Sequence, residues 1–393
     1  MSRVGGPMSF ARKLVPAALV VGSTLVAVLL GELVVRIVVN PGDFLPATII
    51  SDPALGHRIK AHATGHDALG FRNALVPDQV DVIAIGDSMT YGFGVTREDS
   101  WPSQLANLLG KPVYNMALGG YGPLQYLHLA EHEAAKLRPK LLLVGFFFGN
   151  DLIEAYRMAY DNSHWHSWRQ AGAADAGNLE YLVVEQAQPK KRFGVLRDWL
   201  YQNSVLYSMV RANVLVRFAY WEQERIAKQV DQNDQMAWSD PDVPAVKTIF
   251  GPRLRLSTMD QQLRSAKEGL RITKKAFSQM MKQTGSEGAQ MMVVLIPTKE
   301  RVYCDIVART STSFPESFAR LCEVEKQIKE DLIGFLMAER IPHVDVGHAM
   351  EAMVPKHVRM FPEETDGHPQ AVGQNVIART IFDAISRKLP ESR

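Results

Sequence analysis

Three short apolar runs in this chain end in residues suited to acyl transfer. The run VDVIAIGDS closes on Gly86, Asp87 and Ser88. A serine on a tight turn between a strand and a helix presents its hydroxyl outward with its own amide facing the same cleft, so one residue can supply a nucleophile and a hydrogen-bond donor. The run KPVYNMAL carries Asn115 and is followed by Gly119, Gly120 and Gly122, where a glycine permits close backbone approach and offers a bare N–H. KLLLVGFFFGND closes on Gly149, Asn150 and Asp151, which places a carboxamide donor beside the other two. Near the C-terminus, TDGHPQAVGQ sets Asp366 two residues before His368, with a helix expected to start at or just after Pro369. An imidazole there can act as a base, with a carboxylate to orient it and stabilise the imidazolium. These residues make up a nucleophile, a base, an orienting acid and three oxyanion donors, a set that needs no metal and no organic cofactor.

Such residues work together only if strands deliver them to one end of a sheet. The runs 80–88, 111–118, 140–151, 290–298 and 342–346 are short, apolar and rich in Val, Ile, Leu and Phe, the signature of buried parallel strands. Helical patterns at 100–109, 124–137, 259–282, 315–339 and 370–385 separate them, which predicts an α/β fold with a parallel sheet and helices on both faces. Ligands in such sheets bind beyond the carboxyl ends of the strands, where the four polar blocks fall. The alternation breaks over 152–246, a mostly helical insertion that holds Trp165, Trp168, Trp199, Trp221 and Trp238 and a basic cluster at Lys190, Lys191 and Arg192. The expected domains are a cytoplasmic N-terminus and anchor at 1–40, a linker that folds onto the body at 41–79, a catalytic domain at 80–151 and 247–390, and the insertion at 152–246.

The order GDSMTYG, NMALGGYG, GND and DGHP resembles the four blocks of the SGNH (GDSL-type) hydrolase superfamily, whose members are esterases, lipases, carbohydrate O-acetylesterases and some O-acyltransferases. The match runs from about residue 80 to 385, with the insertion interrupting it. It implies a three-layer α/β/α, flavodoxin-like domain with Ser88 as nucleophile, His368 as general base and Asp366 as its partner. It also makes the Ser88 amide, the Gly120 amide and the Asn150 side chain the oxyanion hole, with Gly119 as the alternative register. The commonest family spacing puts the acid three residues before the histidine, where Thr365 stands here. Asp-x-His spacing occurs among members that act on polysaccharide acyl groups, so Asp366 is the expected acid and Glu364 the second candidate. GFRN at 70–73 and IPTKERVY at 296–303 are similar to features of membrane-anchored, cell-envelope members. Lys299 and Tyr303 in the latter either touch substrate or serve the structure. The resemblance implies hydrolysis of carboxylic esters, most simply O-acetyl groups on an envelope or exported glycan. The alternatives are an O-acyltransferase using the same residues and a non-catalytic envelope binding module.

The 393-residue chain has ordinary globular composition, 46% hydrophobic and 22% charged. Its 44 Lys plus Arg against 42 Asp plus Glu lack the basic excess of a nucleic-acid binder. Leu14 to Gly31 carries no charge and is long enough to cross about 30 Å of hydrocarbon as a helix. Arg3, Arg12 and Lys13 precede it, which predicts a cytoplasmic N-terminus and an extracytoplasmic body, periplasmic in a Gram-negative cell. Leu30, Gly31 and Glu32 follow in place of a small-x-small cleavage site, so an anchor is expected in preference to a cleaved signal. Glu32 and Arg36 are spaced to pair on one helix face. Two cysteines, Cys304 and Cys322, exclude a disulfide scaffold; they either pair or remain buried thiols. His128, Glu131 and His132 spell H-x-x-E-H, an order found in one class of zinc peptidases, but a solvated amphipathic helix explains them without a metal. Asp151 is expected to cap a turn.

Overall fold

The computed structural model describes residues 10–170, 194–211, 236–243, 246–311 and 315–388. These fall into two compact units, Met1–Ala47 with Gln188–Glu222, and Thr48–Ala187 with Gln223–Arg393. The basic cluster at 190–192 and Trp221 lie outside the described residues.

The first unit is built on α1 (Phe10–Val38), in which Ala18–Val38 is long and apolar enough to cross a membrane and carries its large apolar side chains exposed. Glu32 and Arg36 pair on this helix at 2.7 Å. The same carboxylate accepts from Ser204 Oγ and from the Val205 and Leu206 amides, and so caps the helix Val205–Val210 that follows the helix Gly194–Asn203. Orphan donors of a helix start are thereby satisfied by a residue distant in sequence.

The second unit opens with an antiparallel hairpin, β1 (Ile49–Asp52) and β2 (Gly56–Ile59). Five parallel strands follow: β3 (Val82–Gly86), β4 (Val113–Ala117), β5 (Leu141–Phe147), β8 (Gln290–Ile296) and β9 (His343–Asp345), in the order β4-β3-β5-β8-β9. A smaller antiparallel pair, β6 (Met236–Ser239) and β7 (Lys247–Phe250), lies outside this sheet. The chain steps from β3 to one side and then crosses to the other, the 2-1-3-4-5 order of a flavodoxin-like sheet. Every residue of β3 is buried, as strands covered on both faces require. On one face Val82, Ala84, Leu143, Met292, Val294 and Ile296 join Trp101 and Leu105 of the helix Trp101–Leu109 and Ile377 and Ile381 of the helix Ala371–Lys388 in one core. On the other lie Pro123–His132, Asp151–Asp161, Arg264–Ser286 and Glu316–Ala338. Lys274 bonds Asp331 at 2.8 Å across the last two. The result is the expected three-layer α/β/α arrangement.

Contacts between distant segments fill out the second unit. Residues 48–80 are part of the body: Asp67 accepts from the Tyr114 hydroxyl at 2.7 Å and from Asn73, and Trp165 donates to the Ala54 carbonyl at 2.7 Å. The segment 299–310 is a further helix, Lys299–Thr310, started by Thr298, whose hydroxyl accepts from Arg301 N–H. The helix expected at 259–282 lies at Arg264–Ser286, and a separate short helix, Pro252–Met259, precedes it. Cys304 and Cys322 are joined in a disulfide that ties Lys299–Thr310 to Glu316–Ala338. Among the insertion tryptophans, Trp165, Trp168 and Trp238 are buried in packing and Trp199 is exposed.

Candidate active site

Where strand order reverses, between β3 and β5, the loops beyond the carboxyl ends splay apart and leave a crevice. Ser88 follows β3 and Asn150 follows β5, so the two stand on opposite sides of that crevice, and the Gly119–Gly120 turn follows β4 beside them. Asp87 caps the short helix Ser88–Tyr91, its carboxylate accepting from Met89 N–H at 2.9 Å. That turn leaves the Ser88 hydroxyl half-exposed and makes its N–H one of the donors that a helix start cannot satisfy internally.

His368 reaches Ser88 from the far end of the chain. Its Nε2 lies 2.8 Å from Ser88 Oγ, and its Nδ1 lies 2.6 Å from Asp366 Oδ1, which also accepts the His368 amide at 3.0 Å. Burial acts to raise the Asp366 carboxyl, but the hydrogen bonds and charge of His368 outweigh it and hold the group below its ordinary range. An ionised Asp366 fixes the tautomer with the proton on Nδ1 and leaves Nε2 free to take the serine proton. Glu364, the second candidate acid, instead contributes its backbone carbonyl to Lys299. Gly119 faces Ser88, since a Cβ there would lie 3.6 Å from Ser88 Cβ. Gly120 has φ +79°, a left-handed conformation that favours glycine, and its N–H has no protein acceptor among the described residues.

Behind this surface lies a buried acidic layer. Burial pushes the Asp87 carboxyl up to about 6, against the donors from Met89, Asn150 and Ser88 and the charge of His368. The Asn150 carbonyl oxygen is buried without a hydrogen-bond partner among the described residues. Asp151 accepts from Phe147 N–H at 3.0 Å and from the Tyr126 hydroxyl at 2.9 Å, and burial and the neighbouring Asp87 hold it well above the usual carboxylate range. Asp151 therefore braces the turn that carries Asn150.

Lys299 and Tyr303 are buried in the interior. Lys299 is fully buried and donates to the carbonyls of Ile249, Glu364 and Asp366 at 2.9, 2.7 and 3.0 Å. Burial lowers its ammonium to about 8, which still leaves it charged at neutral pH. It anchors the acid loop from beneath. Tyr303 packs with Trp238, Phe250 and Phe361. In GFRN, Arg72 donates to the carbonyls of Gly92 and Val95, each at 2.8 Å, and so holds the loop after Ser88. The H-x-x-E-H segment sits on Pro123–His132, with the His128 and His132 rings 4.5 Å apart and Glu131 accepting from Gln279 at 2.8 Å.

Three neighbours of the site had no motif to announce them. Phe93, more than half exposed, lies 4.8 Å from the His368 ring. Arg255 stacks over Phe147 and fills the space beside Gly149 and Gly367, where a Cβ on Gly367 would come within 2.5 Å of its Nη2. His57, on β2, reaches the Gly119 carbonyl at 3.0 Å.

No family model and no curated protein match the chain. Solved structures do. A GDSL-like lipase from Bacteroides thetaiotaomicron VPI-5482 is 11% identical, covering 80% of this chain and 93% of its own, with a TM-score of 0.36. A member of the lipolytic protein G-D-S-L family from Veillonella parvula DSM 2008 is 9% identical, covering 78% and 98%, with a TM-score of 0.36. A catalytic mutant of an acetylxylan esterase from Geobacillus stearothermophilus is 10% identical, covering 81% and 99%, with a TM-score of 0.38. The chain is thus similar, over about four fifths of its length, to proteins of the GDSL type and to an esterase.

Proposed function

We propose that this chain is a serine hydrolase of carboxylic esters of the SGNH (GDSL) type, with Ser88 as nucleophile, His368 as base and Asp366 as orienting acid. The observation that carries the reading is the unbroken line of hydrogen bonds from Ser88 Oγ through His368 to Asp366, at 2.8 and 2.6 Å. Ser88 Oγ attacks the ester carbonyl carbon as its proton passes to His368 Nε2. The carbonyl electron pair moves onto oxygen, which is received by the Ser88 N–H, the Gly120 N–H and the Asn150 carboxamide. Collapse of the tetrahedral intermediate expels the alcohol, which takes its proton from His368, and leaves an acyl-serine. Water then attacks, gives a proton to His368 and releases the acid with Ser88 restored.

In this reading the N-terminal helix anchors the protein, with the body outside the cytoplasm and acylated envelope or exported glycans as substrate. Support comes from the apolar helix, from Arg3, Arg12 and Lys13 ahead of it, and from a disulfide, which persists in oxidising compartments. The glycan assignment rests on the resemblance of the Asp-x-His block and flanking motifs to envelope members of the superfamily. A binding module would have no use for a 2.8 Å contact between Ser88 and His368. The test is labelling of the full-length protein in detergent with a fluorophosphonate, beside Ser88→Ala, with turnover of p-nitrophenyl acetate and acetate release from an O-acetylated polysaccharide. Labelling and turnover that vanish in Ser88→Ala are expected. A folded wild type that neither labels nor turns over ester would overturn the enzymatic reading.

A further inference from the structure

The peptide between Gly119 and Gly120 lacks a Cβ on either side, so little in its own chemistry fixes which way it faces. In one orientation the Gly120 N–H points at the nucleophile; turned over, the Gly119 carbonyl would point there and repel an oxyanion. His57 removes this ambiguity. Its Nε2 lies 3.0 Å from the Gly119 carbonyl oxygen, and because a carbonyl only accepts, that nitrogen carries the hydrogen. No peptide bond in the described chain is cis, and in a trans peptide the C=O and the following N–H point in opposite directions. Holding the Gly119 oxygen therefore directs the Gly120 N–H to the other side, and it has no protein acceptor among the described residues.

We propose that His57 is a positioning residue of the oxyanion hole, acting through the Gly119–Gly120 peptide; the inference rests on the ester-hydrolase reading above. His57 is itself held in three ways. Its backbone pairs with Ser51 in the hairpin, its carbonyl accepts the Tyr121 hydroxyl at 2.8 Å, and its ring packs against Tyr121 at 5.3 Å between centroids. The ring also closes over Gly120, where a Cβ would sit 3.5 Å from His57 Cε1. The hairpin ahead of the sheet is thereby a working part of the site, through a residue outside all four sequence blocks.

The experiment compares His57→Ala, His57→Phe and His57→Gln in the full-length protein in detergent, reading kcat and KM on p-nitrophenyl acetate and the melting temperature. Loss of one oxyanion donor typically costs about 10²- to 10³-fold in kcat. His57→Ala and His57→Phe are expected to lose kcat on that scale with KM changed less than about threefold. His57→Gln, which keeps an N–H donor, is expected to recover part of the loss, and no variant's loss should follow its melting temperature. A kcat equal to wild type in folded His57→Ala would overturn the inference, as would a loss that follows melting temperature and is shared equally by His57→Gln. A wild type without labelling or turnover would overturn the hydrolase reading and this inference with it, whereas an active wild type with an equally active His57→Ala would overturn this inference alone.

Discussion

At the scale of single residues, position along the relay decides what each side chain contributes. Asp366 touches His368 and is held ionised, whereas Glu364 lends only a backbone carbonyl to Lys299. Asp366→Asn is expected to lower kcat by about 10³- to 10⁴-fold, because an amide at Nδ1 no longer fixes the reactive tautomer or stabilises the imidazolium. Glu364→Gln should leave kcat within about threefold of wild type, its side chain having no place in the relay. Steady-state kinetics on p-nitrophenyl acetate separate the two, and equal losses would exchange the acid assignment. Much of this hydrogen-bonded line is legible in the sequence, since DGHP confines the partner of His368 to a few residues and GDS offers Ser88 as its one serine. His57 is not legible there. A lone histidine in a short hairpin has no periodic or motif context, and its role comes only from contact with Gly119 across 62 residues of chain.

Elements hold these residues in place through buried polar contacts. The turn after β8 is bound by Glu325 of the helix Glu316–Ala338, which accepts the Thr298 N–H at 2.9 Å and its hydroxyl at 2.5 Å. Lys299, the next residue, then supports the acid loop. Burial raises Glu325 to about 7 against the lowering effect of Thr298, well above its unfolded value of 4.5. A carboxyl whose folded pKa is raised binds more protons folded than unfolded between those two values, so its contribution is fully present below about pH 4.5 and is lost as pH rises through about 7. Wild type should therefore lose stability relative to Glu325→Gln between pH 5 and 8, by up to about 3 kcal/mol. Paired melting curves across that window provide the check, and parallel curves would mean that Glu325 titrates normally. Strand periods announced the sheet, but the Lys299–Thr310 helix was hidden because its buried face is carried partly by charged residues, Lys299 and Glu300. Their polar ends meet partners that only the fold supplies.

At the scale of the whole molecule, the anchor reading sets the compartment. Reporter fusions at the C-terminus are expected to be active with alkaline phosphatase, which needs an oxidising compartment, and dark with a fluorescent protein that matures only in the cytoplasm. The opposite pattern would reverse the topology. The protein should also remain in the membrane fraction after an alkaline carbonate wash, since an apolar helix of this length inserts far more strongly than a peripheral contact.

The α/β class, the five parallel strands, the apolar N-terminal helix and the placement of Ser88, Asn150, His368 and Asp366 at strand ends and before the last helix are all readable in the order of amino acids alone. These are local properties: hydrophobic period, run length and the residue types that turns admit. The packed fold was needed to establish which acid meets His368, that Lys299 and Tyr303 face inward, that Cys304 and Cys322 are joined, and that the hairpin before the sheet reaches the Gly119 carbonyl. All but the Asp366–His368 contact, which spans two residues, depend on groups well separated in the chain meeting at hydrogen-bond, packing or bonding distance. Directional contacts of that kind are set by how the layers pack and leave no periodic trace in either partner's own stretch of sequence.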